Sequence, residues 1–91
     1  MAKLLLVEDD ERLASLVAEY LRNNGHDVSV EGRGDRAIER ILAERPDLVV
    51  LDVMLPGEDG LSVCRTVRPQ FSNPILMLTA RGEELDQVLG L

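Results

Sequence analysis

Acidic or hydroxyl side chains follow three apolar stretches of this 91-residue chain: Glu8, Asp9, Asp52 and Thr79. Carboxylates held close together raise one another's pKa, so such a group is favoured where a cation neutralises it. Mg²⁺ accepts oxygen ligands, keeps several waters and often shares a phosphate. A carboxylate can also attack phosphorus while Mg²⁺ offsets the developing charge. The pattern therefore predicts a Mg²⁺ site with Asp52 as phosphoryl acceptor and Thr79 as a donor to a phosphate oxygen.

A structural interpretation of the same acids stays open. Asp10 directly precedes a helical pattern and is a good N-cap, and a lone aspartate at a strand end is usually a turn residue. Glu8 and Asp9 precede that cap, however, and Asp52 lies well before the next helix. The metal interpretation requires that the first and third strands be neighbours in one sheet.

Composition and charge limit the classes of function. A net charge of −7 would repel a phosphate backbone, so we do not expect direct binding to nucleic acid. A single cysteine, Cys64, excludes an internal disulfide and a cysteine-based metal site. No apolar run is long enough to cross a membrane, and the start of the chain does not resemble a signal peptide. We therefore expect a cytoplasmic protein with no membrane contact.

The elements that must position these side chains follow from apolar spacing. Strands are predicted at residues 3–7, 27–31, 47–52 and 74–79. Between them, three helices are predicted to begin at the caps Asp10, Asp35 and Asp59 and to end near Gly25, Pro46 and Pro69. A fourth helix is predicted over residues 82–91. This βαβαβαβα order, with apolar strands, predicts a parallel sheet covered by helices on both faces.

The predicted helices carry apolar stripes at helical spacing: Leu13, Leu16, Val17, Tyr20 and Leu21 in the first, Ala37, Ile38, Ile41 and Leu42 in the second, and Leu61, Cys64 and Val67 in the third. In the last helix the stripe still continues at Leu91, and the fourth strand would lie at an uncovered sheet edge. We therefore expect a domain that is incomplete at its C-terminus.

Three segments, in order and at matching spacing, resemble the receiver domain of bacterial response regulators, in particular the DNA-binding OmpR/PhoB type. They are LLLVEDDE at 4–11, DLVVLDVMLPGEDG at 47–60 and PILMLTAR at 74–81. The resemblance covers the whole chain and about three quarters of a receiver domain. It implies a flavodoxin-like, three-layer, doubly wound parallel sheet of strand order 2-1-3-4, truncated after four strands. A DNA-binding effector domain is then expected beyond residue 91.

The resemblance also implies a role for each residue. Asp52 is expected to be the phosphoacceptor and also a Mg²⁺ ligand, Asp9 a direct Mg²⁺ ligand and Glu8 a ligand through water. The backbone carbonyl of Met54 is expected to be a further ligand, and Thr79 the switch hydroxyl. The family's lysine at the end of a fifth strand has no counterpart, because the only lysine, Lys3, opens the first strand at the opposite rim.

The implied partners follow the same resemblance. The phosphodonor is expected to be a sensor histidine kinase. Phosphorylation is expected to promote a homodimer through the face of the fourth and fifth helices, and DNA would be contacted only by the missing C-terminal domain. The domain is expected to take part in its own phosphoryl transfer and hydrolysis without being a classified enzyme.

Two other functions compete with this one. A phosphohydrolase could use Asp52 as a transient nucleophile, but such enzymes place a second aspartate two residues later, where this chain has Met54. A receiver-like interaction module that is never phosphorylated would tolerate loss of Asp52 or of the acidic pair, and all three acids are present.

Overall fold

The structure, a computed structural model, describes residues 2–78. Its elements are β1 (Lys3–Val7), α1 (Glu11–Asn23), β2 (Asp27–Glu31), α2 (Gly34–Glu44), β3 (Leu48–Asp52), α3 (Gly60–Val67), a 3-10 turn (Arg68–Gln70) and β4 (Ile75–Leu78). Each predicted strand is present to within one residue at either end. Thr79 and the helix predicted over 82–91 lie outside the described residues.

The four strands form one parallel sheet in the order β2-β1-β3-β4, which confirms the predicted order. Successive side chains of a strand point to opposite faces, so a central strand must be apolar throughout. In β1, Leu4 and Leu6 pack with Ala14 and Ala18 of α1. Leu5 and Val7 join the core on the other face, under α2 and α3. The predicted three layers are therefore confirmed.

Two of the three predicted N-caps are confirmed. The Asp10 carboxylate accepts from the backbone N–H groups of Arg12 and Leu13, and the Asp59 carboxylate accepts from Ser62. Asp35 as a cap is wrong, because α2 begins at Gly34 and the side chain of Asp35 instead pairs with Arg33 at 3.0 Å. The end of α1 agrees with prediction, since Gly25 follows the C-cap residue with a left-handed φ of 90°.

The buried face of α3 differs from the predicted stripe at one position. Val63 and Val67 are fully buried and Cys64 packs against the core, but Leu61 is 44% exposed. Gly60 is buried against the backbone of β3, and residues 60, 63, 64 and 67 form the inner face. The prediction of the helix is confirmed, and Leu61 is the one residue of the predicted apolar stripe that does not face the core.

The fully buried residues of α1 are both alanines, and Val17 and Leu21 of the predicted stripe pack against the same core. Ala14 and Ala18 are buried, whereas Leu13, Leu16 and Tyr20 are exposed. Small side chains allow α1 to approach the sheet closely. Within residues 2–78, no helix combines the length and hydropathy required to cross a membrane.

Candidate functional site

The C-terminal ends of β1 and β3 bring three carboxylates together. Val7 is opposite Leu51 in the parallel register, so the residues that follow them, Glu8 and Asp52, emerge side by side at the rim. Carboxylate oxygens of Glu8, Asp9 and Asp52 all lie within 4.8 Å of one another. The structure thus meets the condition set by the sequence, that the first and third strands be neighbours.

Glu8 is the buried member of this acidic cluster. Its side chain is only 8% exposed, its backbone N–H donates to the Glu31 carbonyl at 2.9 Å, and its carboxylate accepts from the Asp10 N–H at 2.9 Å. Burial raises the pKa of Glu8, and the negative charges of Asp52 and Asp9 raise it further, while the hydrogen bond from Asp10 opposes the shift. Ionisation of Glu8 therefore costs more here than in water, and a cation at the cluster would offset that cost.

Asp10 stands apart from the cluster. Its Oδ1 accepts from Arg12 N–H and Leu13 N–H at 3.1 Å each, as an N-cap carboxylate does. The structural interpretation is therefore correct for Asp10 alone among the acids at the end of β1. Its backbone N–H nevertheless contributes to the site by holding the carboxylate of Glu8.

The loop after β3 is fixed at Val53, the residue before Met54. The Val53 N–H donates to the Leu78 carbonyl at 3.0 Å, and the Val53 carbonyl accepts from Gly60 at 2.8 Å. The Met54 side chain is 74% exposed. Gly57 has a left-handed φ of 83°, a conformation that favours glycine and turns the chain after Pro56.

The single lysine lies far from the cluster, as predicted. Lys3 opens β1 at the opposite rim, where its Nζ donates to the Glu44 carbonyl at 3.0 Å and its N–H donates to Asp47 at 2.8 Å. Within residues 2–78, no basic side chain forms an ion pair with Glu8, Asp9 or Asp52. In the described part of the chain, the acids are left with one another and with backbone donors.

A cavity of about 600 Å³ lies over the cluster, lined by Glu8, Asp9, Asp10, Leu13, Asp52, Met54 and Leu78. This volume accommodates a hydrated cation and a phosphoryl group. The donor set consists of oxygen atoms without imidazole or thiolate, which suits Mg²⁺ and not Zn²⁺. The residues present therefore fit the predicted metal.

Sequence reasoning missed two contributions to this site. Leu13 lines the cavity because it occupies the first turn of α1, directly after the cap. The Glu31 carbonyl fixes the backbone of Glu8 from β2, a contact set by strand order. The position of Leu13, three residues after the cap Asp10, could have predicted its place beside the cavity. The contact of the Glu31 carbonyl could not be predicted, because backbone groups are the same in every residue. Thr79 lies outside the described residues.

The fold and the acidic rim agree with the comparison with protein families. The model of the response regulator receiver domain matches residues 4–91, and the chain belongs to this family. The detail of the sequence motifs predicts a resemblance to the regulator RstA. The chain is 47% identical over 91 residues to the transcriptional regulatory protein RstA of Escherichia coli (strain K12), which confirms this prediction. It spans only 38% of that relative's length.

Solved structures give the same result. The BeF3-activated N-terminal receiver domain of Klebsiella pneumoniae RstA matches with a TM-score of 0.87 and 48% identity, over 96% of this chain and 74% of that one. The receiver domain of Francisella response regulator 1452 matches with a TM-score of 0.89 and 28% identity, over 99% and 75%. The chain is thus a receiver domain related to that of RstA.

Proposed function

We propose that this receiver domain accepts a phosphoryl group on Asp52 in a reaction that requires Mg²⁺. The observation that carries the proposal is the convergence of three carboxylates within 4.8 Å at the C-terminal rim of the sheet. Ligands of open α/β sheets bind at this rim. Three ionised carboxylates at such distances are costly without a cation, and an activated carboxylate at the floor of a cavity can act as a nucleophile.

Each residue of the site has a defined part in the proposed reaction. A carboxylate oxygen of Asp52 attacks the phosphorus of the donor, and the new O–P bond forms as the bond from phosphorus to the donor nitrogen breaks. The electron pair of the broken bond stays on that nitrogen, which takes a proton from water. Asp9, Glu8, Asp52 itself and the Met54 carbonyl would hold Mg²⁺, which would offset the charge on the phosphoryl oxygens. Thr79 would donate its hydroxyl to one of those oxygens.

The proposed donor is the phosphohistidine of a sensor kinase, the partner that membership of this family implies. The related Klebsiella domain is activated by BeF3, a group that imitates a phosphoryl group on a carboxylate. In the whole protein, we propose that phosphorylation promotes a homodimer and regulates transcription through a further, DNA-binding domain. Support for this comes from the E. coli relative, which is a transcriptional regulatory protein.

The domain is proposed to be a phosphoacceptor and not a phosphohydrolase. A hydrolase of the kind considered above needs a general acid two residues after its nucleophile. That position holds Met54, whose exposed side chain cannot transfer a proton.

The test is phosphorylation of the chain by a small phosphodonor. With acetyl phosphate and Mg²⁺, we expect intact mass spectrometry to detect the gain of one phosphoryl group, and Asp52→Asn to abolish it. Asp47→Asn is a matched control, since Asp47 lies at the opposite end of β3. Equal phosphorylation of Asp52→Asn and the parent chain would show that Asp52 is not the acceptor.

A further inference from the structure

We propose that Gly34, at the start of α2, is a positioning residue for the metal-binding loop, because the backbone of that loop occupies the space that any side chain at position 34 would fill. The proposal rests on the proposed function, in which the Met54 carbonyl is a ligand of Mg²⁺. Gly34 lies outside the acidic cluster and contributes no ligand atom. Its part is to fix where the loop after β3 runs.

The contact between Gly34 and this loop is made by backbone atoms. A Cβ atom built on Gly34 would overlap the carbonyl oxygen of Glu58 and would lie 2.6 Å from its carbonyl carbon. The Gly34 N–H donates to the Pro56 carbonyl at 3.0 Å. The backbone conformation of Gly34 is open to other residues, since its φ is not in the left-handed region. The requirement for glycine is therefore steric and comes from the loop.

The loop residue Gly57 also packs closely against the start of α2. Gly57 lies against the α2 start, where a Cβ would lie 2.9 Å from the guanidinium of Arg33 and would overlap the carboxylate of Asp35. Arg33 and Asp35 are themselves paired at 3.0 Å. Residues 56–58 thus pack on the start of α2, with Gly34 in direct backbone contact with Glu58 and with Gly57 against the side chains of Arg33 and Asp35.

The packing of residues 56–58 on the start of α2 determines the position of the Met54 carbonyl. Val53 is held by hydrogen bonds to Leu78 and Gly60, and Pro56 is held by Gly34. Met54 and Leu55 are the only residues between these two anchors. A displacement of Pro56–Glu58 by a methyl group at position 34 is therefore transmitted to the carbonyl proposed as a ligand, while Glu8 and Asp9, which follow β1, stay in place.

The test compares Gly34→Ala with Gly32→Ala. Gly32 is two residues earlier, and a Cβ there meets nothing closer than 3.9 Å, so this control adds the same methyl group without a clash. Calorimetric titration with Mg²⁺ is expected to show about a tenfold loss of affinity in Gly34→Ala, the lower end for residues that orient ligands. Affinity in Gly32→Ala is expected to match the parent chain. Equal affinity in Gly34→Ala and the parent would overturn the proposal.

Urea unfolding in the absence of Mg²⁺ separates positioning from simple destabilisation. A purely structural role lowers the unfolding midpoint but leaves the Mg²⁺ affinity of the folded molecules unchanged, and this result would overturn the proposal. Failure of the proposed function has a different signature, since the parent chain itself would then bind no Mg²⁺ and Asp9→Asn would change nothing.

Should Gly34→Ala not fold, hydrogen exchange in the unmutated chain tests the same coupling. Mg²⁺ is expected to slow exchange of the Gly34 N–H, whose acceptor is the Pro56 carbonyl, more than that of the Arg45 N–H at the other end of α2. Arg45 donates to Ile41 and serves as a reference amide of the same helix away from the loop. Equal slowing at both amides would show that the loop and the α2 start are not coupled to the metal site.

Discussion

At the scale of single residues, three consecutive acids have three different tasks. Glu8 is buried and held by the backbone of Asp10, Asp9 is exposed at the cavity, and Asp10 caps α1. Their residue types are nearly the same, and the difference comes from position on a chain that is leaving a strand and entering a helix. A carboxylate already engaged by two backbone N–H groups is poorly available to a metal ion, whereas Asp9 is free to bind one.

This division of tasks predicts different consequences for neighbouring substitutions. Asp9→Asn is expected to weaken Mg²⁺ binding about tenfold or more, or about 1.4 kcal/mol, because it removes a charged ligand. Asp10→Ala is the comparison variant, expected to lower the free energy of unfolding by about 1 kcal/mol through loss of the cap. Isothermal titration with Mg²⁺ and urea unfolding measure the two effects. Unchanged Mg²⁺ affinity in Asp9→Asn would show that Asp9 is not a ligand of the metal.

The raised pKa of Glu8 predicts a pH dependence in metal-free protein. The folded state binds a proton at Glu8 more tightly than the unfolded chain does, so the stability contributed by protonated Glu8 is present at low pH and is lost as pH rises through the folded pKa. Glu8→Gln keeps an acceptor for the Asp10 N–H and removes this loss. We expect Glu8→Gln to exceed the parent in free energy of unfolding at neutral pH, with the difference shrinking at acidic pH.

Urea unfolding in the presence of a chelator, repeated at several pH values, measures the difference in free energy of unfolding between Glu8→Gln and the parent chain. Saturating Mg²⁺ should reduce or reverse it, because the cation stabilises the ionised glutamate of the parent chain. A Glu8→Gln variant that is less stable than the parent at neutral pH without Mg²⁺ would contradict the physical account of the buried acid.

At the scale of elements, α3 shows how the site sets the orientation of a helix. Gly60 donates to the Val53 carbonyl and is buried against β3, which fixes the first residue of α3 beside Asp52. With that residue in place, the helical period directs Val63 and Val67 inward and leaves Leu61 exposed. The largest apolar side chain of α3 therefore does not belong to the core.

A matched pair of substitutions tests this orientation. Val63→Ala is expected to lower the free energy of unfolding by about 2 kcal/mol, since Val63 is fully buried. Leu61→Ala removes a larger side chain but is expected to change the free energy of unfolding by about 0.5 kcal/mol or less, as is usual for substitutions at exposed positions. Urea midpoints with unchanged slopes provide the measurement. A greater loss in Leu61→Ala would mean that α3 is rotated from the described orientation.

At the scale of the whole molecule, the site joins segments that are far apart along the chain, and the proposed metal binding is therefore expected to be linked to folding. Mg²⁺ at 100 times its dissociation constant is expected to raise the free energy of unfolding of the parent by about 2.7 kcal/mol. Val63→Ala should retain this increment, because it acts in the core away from the ligands. Asp9→Asn should lose most of it at the same Mg²⁺ concentration. Paired urea curves with and without Mg²⁺ check both expectations.

The sequence by itself determined the order of elements, the two caps at Asp10 and Asp59, and the acids at the sheet rim. These features depend on local rules, since alternation, capping and strand-end position are set within a few residues. The start of α2, the exposed edge of α3 and the burial of Glu8 were decided by the tertiary structure. Each depends on backbone from a distant segment: Glu58 against Gly34, β3 against Gly60, and Glu31 against Glu8. Backbone groups are the same in every residue, so a sequence does not show where they will meet.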